Sequence, residues 1–328
     1  MKGEVYNQST WIALKAASYY FEQGKSLKEV ALILNVSEST VSRLIQRAKK
    51  EKIVEFVIGN PYKQCLDLED QLLEQYPLKE VIVTHSGSED GNPADPEKDK
   101  MMVALEGARY LQRIITSRDI LGIAWGGTMY YLIHYLNPCQ RTDTIFVTLH
   151  GSLTCCDYEL DVHNLVSRMS MAFGGNYYSL SSAGLHKDVE SLSLIKNIND
   201  VKQIFSLFQR LTISISGLGS FYPRLDSPLS RLQYLQPREL TFLQSKGVYG
   251  DMMLRFFDGN GEECDGEIKE RTLAIDINTY KKIPRKIVVV SGVQKAKTLQ
   301  AALKGGLIDV LIIDRKLAQA VVMENSTT

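Results

Sequence analysis

The 328-residue sequence predicts an α/β protein: an N-terminal helix-turn-helix domain over 1–58 and a mostly parallel, doubly wound α/β domain over 59–328. Three observations carry this expectation. Two short amphipathic stretches joined by a tight turn lie between residues 26 and 50. From about residue 62, apolar runs of strand length alternate with helical patterns, as in a parallel sheet covered on both faces. Three of those runs end in glycine-rich turns, where open α/β sheets bind ligands.

The first element, "WIALKAASYYFEQG" (11–24), reads as a supporting helix with Ile12, Ala16, Tyr19 and Tyr20 facing inward. "KSLKEVALILN" (25–35) follows, with Ser26 and Glu29 spaced as a capping box and Val30, Ala31 and Leu34 on one face. Asn35 suits the left-handed conformation that a tight helix-to-helix turn requires, and Val36 plugs the corner. Ser37 is an N-cap for the next helix, whose inward stripe is Val41, Leu44, Ile45 and Ala48.

Ser39, Thr40, Ser42, Arg43, Gln46 and Arg47 occupy the outward side of that helix. With Ser37 they form a candidate DNA-binding surface, because a recognition helix enters the major groove by its N-terminal residues. Ser39, Thr40 and Arg43 suit base edges or nearby phosphates; Arg47, Lys49 and Lys50 lie where phosphates are expected. A merely solvated amphipathic helix pair has the same pattern. Glu38 sits where phosphate would repel it, or where the helix N-terminus favours it. "KIVEFVI" (52–58) alternates like a short strand and stops at Gly59-Asn60-Pro61, the expected linker.

In the larger domain the expected strands are 80–85, 119–126, 144–151, 177–182, 211–219, 252–257, 286–292 and 309–314. Helical patterns lie between many of them, at 101–115, 128–136, 160–173 and 295–306. The glycine turns are "AWGGT" (124–128), "SGLGS" (216–220) and "VSGVQK" (290–295). In the first, Gly126 and Gly127 leave backbone N–H groups open, Thr128 adds a hydroxyl, and a helix starts there with its positive end outward. That arrangement suits a phosphate or another anion. His150, Asp161, His163, Asp251, Asp258 and Lys295 are polar residues near strand ends or helix starts, a position that structural residues also occupy. The sequence has neither a dinucleotide fingerprint nor a phosphate-loop motif.

Bulk composition narrows the classes further. Thirty-eight basic residues balance 38 acidic ones. Residues 1–55 carry nine Lys/Arg against six Asp/Glu, a mild local excess at the end of the helix-turn-helix. The five cysteines, Cys65, Cys139, Cys155, Cys156 and Cys264, form no Cys-x-x-Cys pair. They read as buried or incidental thiols in a reducing compartment, with no metal or cofactor implied. No run approaches ~18 apolar residues, so a cytoplasmic protein without membrane contact is expected.

The order of these pieces resembles the SorC/DeoR-type bacterial transcriptional regulators, in particular the SorC group with its sugar-binding domain. The matching segments are 26–58, "ILGIAWGGTM" (120–129), 161–180, "ISGLGS" (215–220), "GDMMLRFFDGNGEECD" (250–265) and 282–322. The resemblance implies a winged-type helix-turn-helix and an effector domain similar to sugar-phosphate isomerase and deaminase folds. It implies a phosphorylated sugar or polyol effector, double-stranded operator DNA as partner, and a homo-oligomer, dimer or tetramer. On the family pattern Gly126, Gly127 and Thr128 hold the phosphate, Lys295 contacts the same ligand and Asp251 binds sugar hydroxyls. His150 stands where some members carry a basic residue. With Asp161, Gly217 and Gly219 these complete the candidate effector site. Glu38 departs from a position that is commonly arginine in the family, and Val293 from a glycine. The alternative function is a sugar-phosphate isomerase or deaminase-like enzyme, since the fold is shared; no paired acid and base at a suitable spacing supports it, and a non-enzyme is expected.

Overall fold

Capping chemistry sets the first helices. The computed structural model describes residues 2–85, 95–137, 141–153, 158–231 and 234–325; Cys139, Cys155 and Cys156 lie outside them. The chain forms two units, Met1–Asn60 and Pro61–Thr328.

In the first unit, α1 (Lys2–Ala17) runs through a π-turn at Ser18–Glu22 before α2 (Leu27–Leu34) and α3 (Glu38–Lys50). Ser26 and Glu29 form the expected capping box. Asn35 adopts the left-handed conformation (φ 51°, ψ 47°), and the Ser37 hydroxyl accepts from the Thr40 N–H. The core gathers Ala16, Val30, Ala31, Val41 and Ile45, with Ala13, Ala17 and Ala48 beside them. Two expectations fail here. Ile12 is 41% exposed, because the small Ala13, Ala16 and Ala17 form the face that packs on α3. Residues 52–58 form no strand, since no strand among the described residues of this unit can pair with them. Instead Ile53 and Val54 pack against the alanine cluster, and Phe56 meets Phe21 edge-on at 5.0 Å. The expected β-wing is therefore an extended tail on the helices.

The second unit begins with α4 (Tyr62–Gln75), β1 (Glu80–Thr84), α5 (Pro96–Ile114), β2 (Ile120–Ile123), α6 (Gly127–His134), β3 (Ile145–Thr148), α7 (Val162–Phe173) and β4 (Asn176–Tyr178). Then come α8 (Val189–Lys196), α9 (Asn199–Phe208), β5 (Ile213–Ser216), β6 (Gly219–Ser220), α10 (Pro237–Ser245), β7 (Gly250–Met252) and β8 (Arg255–Phe257). It closes with α11 (Glu267–Glu270), α12 (Ile277–Lys281), β9 (Arg285–Val290), α13 (Ala296–Lys304), β10 (Val310–Asp314) and α14 (Arg315–Asn325).

Seven strands make one wholly parallel sheet in the order β1-β10-β9-β5-β2-β3-β4. Side-chain alternation feeds a separate core on each face. Ile287, Val289, Val310 and Ile312 join α5, α6 and α7 on one side. Val288, Val290, Leu311 and Ile313 join α4, α13 and α14 on the other. Each fully buried aliphatic side chain contributes about 1.5–3 kcal/mol, which is why these strands read as continuous apolar runs. A small antiparallel sheet, β6-β7-β8, holds the segment expected as a single strand at 252–257; the chain reverses at Met253 and Leu254, both at positive φ.

Strand order reverses between β2 and β5: β3 and β4 extend one way, β5, β9 and β10 the other. In open parallel sheets a crevice opens at that reversal, beyond the strands' carboxyl ends.

Candidate functional site

A cavity of about 1080 Å³ opens at this reversal. Its floor is built from the turns that end β2, β5 and β9. After β2, Ala124 through Thr128 line it, with Gly126 at φ 117°, a conformation that demands glycine. A Cβ added at Gly126 or Gly127 would meet nothing within 4 Å, so the backbone at the start of α6 is uncrowded, and a helix N-terminus of this kind suits an anion.

After β5, Gly217 and Gly219 line the cavity, and Gly219 pairs with Asp251 across the small sheet. A Cβ at Gly219 would come within 2.1 Å of Asp251 Oδ1; the missing side chain is what admits the carboxylate. Asp251 accepts a 2.6 Å hydrogen bond from the Ser227 hydroxyl, and burial pushes its carboxyl up to about 6. After β9, Ser291, Gly292, Gln294 and Lys295 form the third wall. The Lys295 ammonium lies 3.7 Å from Asp226, burial lowers its pKa, and Gln294 donates to the same carboxylate at 2.7 Å.

The structure thus brings together seven of the candidate effector residues: Gly126, Gly127, Thr128, Gly217, Gly219, Asp251 and Lys295. His150 and Asp161 lie off the lining. His150 is fully buried; its Nε2 accepts from the Trp125 N–H at 3.1 Å, and its Nδ1 faces the Gly151 carbonyl at 2.8 Å. Only the neutral ring with its proton on Nδ1 satisfies both partners, and burial brings its pKa down to about 4. The residue braces the Gly126 turn from beneath and supplies no positive charge. Asp161 caps α7, accepting from the His163 N–H at 2.9 Å and from Leu153 N–H and the Ser152 hydroxyl.

Several lining residues escaped the sequence reading. Glu97 and Lys100 come from the first turns of α5, and Tyr130 and Tyr131 from α6. Hydrogen bonds from Tyr131 and Lys100 hold the Glu97 carboxyl below its usual range. Trp125 meets Tyr234 edge-on at 5.8 Å, with Arg231 nearby on the lining. Trp125 and Gln294 had a signal, being embedded in glycine turns, whereas Glu97, Lys100, Tyr130, Tyr131, Arg231 and Tyr234 lie outside them. The combined chemistry is an anion cradle, three cations (Lys100, Arg231, Lys295), carboxylate acceptors and aromatic faces, which suits a polyhydroxylated ligand bearing a negative group. Among the described residues no group of three or more His, Cys, Asp or Glu side chains could hold a metal ion, and no helix is long and apolar enough to cross a membrane.

On α3, Ser37, Ser39, Ser42, Arg43 and Gln46 are exposed, and Thr40 and Arg47 half-buried. The Ser37 hydroxyl lies 2.9 Å from that of Ser39 and 2.8 Å from that of Thr40, a hydroxyl cluster at the helix start. Arg47 donates to Glu51 at 2.7 Å. Lys49, expected toward phosphate, instead holds its ammonium over the rings of Phe21 and Phe56.

A family described as "Putative sugar-binding domain" matches residues 60–323, and sigma-70 region 4, a helix-turn-helix region, matches residues 18–51. The deoxyribonucleoside regulator of Bacillus subtilis is 27% identical over 311 residues, covering 95% of this chain and 97% of the relative. The erythritol catabolism regulatory protein EryD of Brucella abortus is 25% identical, covering 95% and 96%. The crystal structure of the full-length sorbitol operon regulator SorC from Klebsiella pneumoniae superposes with a TM-score of 0.74 at 26% identity, over 94% of this chain and 97% of that one.

Proposed function

Because the chain belongs to the sugar-binding-domain family and is a SorC/DeoR-type transcriptional regulator, we propose that it controls a carbohydrate operon in response to a phosphorylated sugar or polyol. The observation that carries the phosphorylated part is the open α6 N-terminus at Gly126–Thr128, which shares one cavity with Lys295 and Asp251. Phosphate would sit on the α6 N–H groups and the Thr128 hydroxyl, with Lys295 as counter-charge; the ligand's hydroxyls would donate to Asp251 and Asp226. α3 would read operator DNA through Ser39, Thr40 and Arg43, and a homo-oligomer would match a two-fold operator. The ligand shifts operator affinity only as far as it binds one arrangement of the regulator better than another.

The test is operator binding by the full chain, using the promoter beside its own gene, against sorbitol, erythritol and 2-deoxyribose and their terminal phosphates. A phosphorylated compound is expected to shift operator affinity more than its parent sugar, and Thr128→Val to blunt that shift. Equal responses to sugar and phosphate would remove the anion cradle from the reading. Turnover of any compound would favour the enzyme alternative, with Asp251 as its base.

A further inference from the structure

Three consecutive residues at the junction of β10 and α14 each hold a different element. Asp314 is 3% exposed; its Oδ2 accepts from the Gly292 N–H at 2.8 Å, and its Oδ1 from the Leu317 N–H at 3.0 Å. One carboxylate therefore ties the cavity turn 291–295 to the first turn of α14. Arg315 donates to Gln64 on α4 at 2.8 Å. Lys316 reaches Asp99 on α5 at 3.3 Å, and the next α5 residue, Lys100, lines the cavity. α4 starts at Tyr62, two residues after the chain leaves the N-terminal unit at Asn60.

We propose that Asp314, Arg315 and Lys316 form a coupling node that passes the state of the cavity to α4, and so to the segment leading into the DNA-reading unit. This rests on the cavity being the effector site. Gln294 and Lys295 both meet Asp226 across the cavity, so an anion that takes Lys295 competes with Asp226 and shifts the turn. The Gly292 N–H is bound to Asp314, so displacement of the turn is felt at the start of α14. Arg315 follows Asp314 directly in the chain and carries the shift to Gln64. The Lys316–Asp99 pair adds a second input, from the α5 wall. A node of this kind needs two arrangements whose balance both sites bias, and that is what the experiment measures.

The first arm uses the full-length chain with no ligand. In hydrogen exchange, Asp314→Asn is expected to speed exchange at 291–295 and also along α4 from Cys65, by about two- to tenfold for one lost hydrogen bond. Faster exchange at the turn with α4 unchanged overturns the node. The second arm uses sorbitol 6-phosphate. Arg315→Ala, and separately the surface change Gln64→Ala, should leave its binding (read by Trp125 fluorescence) as in wild type. Each should shrink the accompanying shift in operator affinity, and the double variant should shrink it no further. A full shift in both single variants overturns the node. Failure of wild type to bind the probe counts against the phosphorylated-effector reading, while the ligand-free arm still decides the node.

Discussion

The recognition helix and the cavity both gather polar groups, yet they are assembled in opposite ways. Every candidate DNA contact comes from one stretch, Ser37 to Lys50, and most of these side chains stand in water. The cavity draws on α5, α6, the ends of β2, β5 and β9, and β7, plus Glu159, Leu160, residues 225–228, Ser230, Arg231 and Tyr234. Its key groups are buried, and burial moves them: Asp251 up to about 6, the neighbouring His150 down to about 4, Lys295 downward. A surface site is thus legible as a local pattern, whereas a cavity site takes its chemistry from folding.

This contrast implies a difference in pH response. His150 is neutral when folded and has a pKa of 6.5 before burial, so between 6.5 and about 4 the unfolded chain binds a proton that the folded one refuses. Stability should fall as pH drops through that window, by up to about 3 kcal/mol. Asp251 works the other way. Its raised carboxyl holds a proton between 3.8 and about 6 that the unfolded chain has lost, which favours the folded state at the acid end. The chain has two tryptophans, Trp11 in the first unit and Trp125 in the second. The two windows overlap, so their slopes oppose each other between about 4 and 6. Relative to the parent, urea titrations of a Trp11→Phe background followed at Trp125 should show stability gained toward acid pH in His150→Gln and lost toward acid pH in Asp251→Asn. Identical pH slopes in His150→Gln and its parent would mean that the imidazole is not the buried neutral brace described above.

Arg43→Ala probes the other side of the contrast. The guanidinium is exposed near the start of α3, and its loss should weaken operator binding by about 1–3 kcal/mol. Sorbitol 6-phosphate binding should stay at the wild-type level. A parallel loss of both would show that the two sites do not separate as their assembly suggests.

How much of this was readable in advance follows from the same contrast. The capping box at Ser26 and Glu29, the left-handed Asn35 and the Ser37 cap are local hydrogen-bond chemistry, and the structure has all three. The strand set was legible because both faces are buried, which leaves long apolar runs. Periodicity weighs hydrophobicity and so points Ile12 inward, whereas close packing on α3 selects alanines. Residues 52–58 alternate well, but alternation cannot supply a pairing partner. Lys100, Arg231 and Tyr234 had no local mark; topology alone brings them to the glycine turns. His150, expected on the effector site, lies off the cavity lining, and its neutral state follows from an enclosure that the sequence does not display.

The smallest expected effect sharpens the role of Arg47. Its ion pair with Glu51 spans one helical turn, with the two side chains 29% and 33% exposed. Pairs of this kind contribute about 0.3–0.5 kcal/mol, so Glu51→Gln should cost the first unit only that much. Its effect on operator binding is more informative. Removing the Glu51 charge lessens repulsion of phosphate whatever Arg47 does, so tighter binding alone decides nothing. The discriminating measurement is the same substitution in an Arg47→Ala background. If Arg47 meets a phosphate when its Nε is released from Glu51, the gain should largely vanish there, and the salt dependence of binding should drop by about one unit of slope relative to Glu51→Gln alone. A gain that survives intact would place Arg47 as a helix-stabilising partner of Glu51, and leave Arg43 and the hydroxyl cluster at Ser37, Ser39 and Thr40 to contact the DNA.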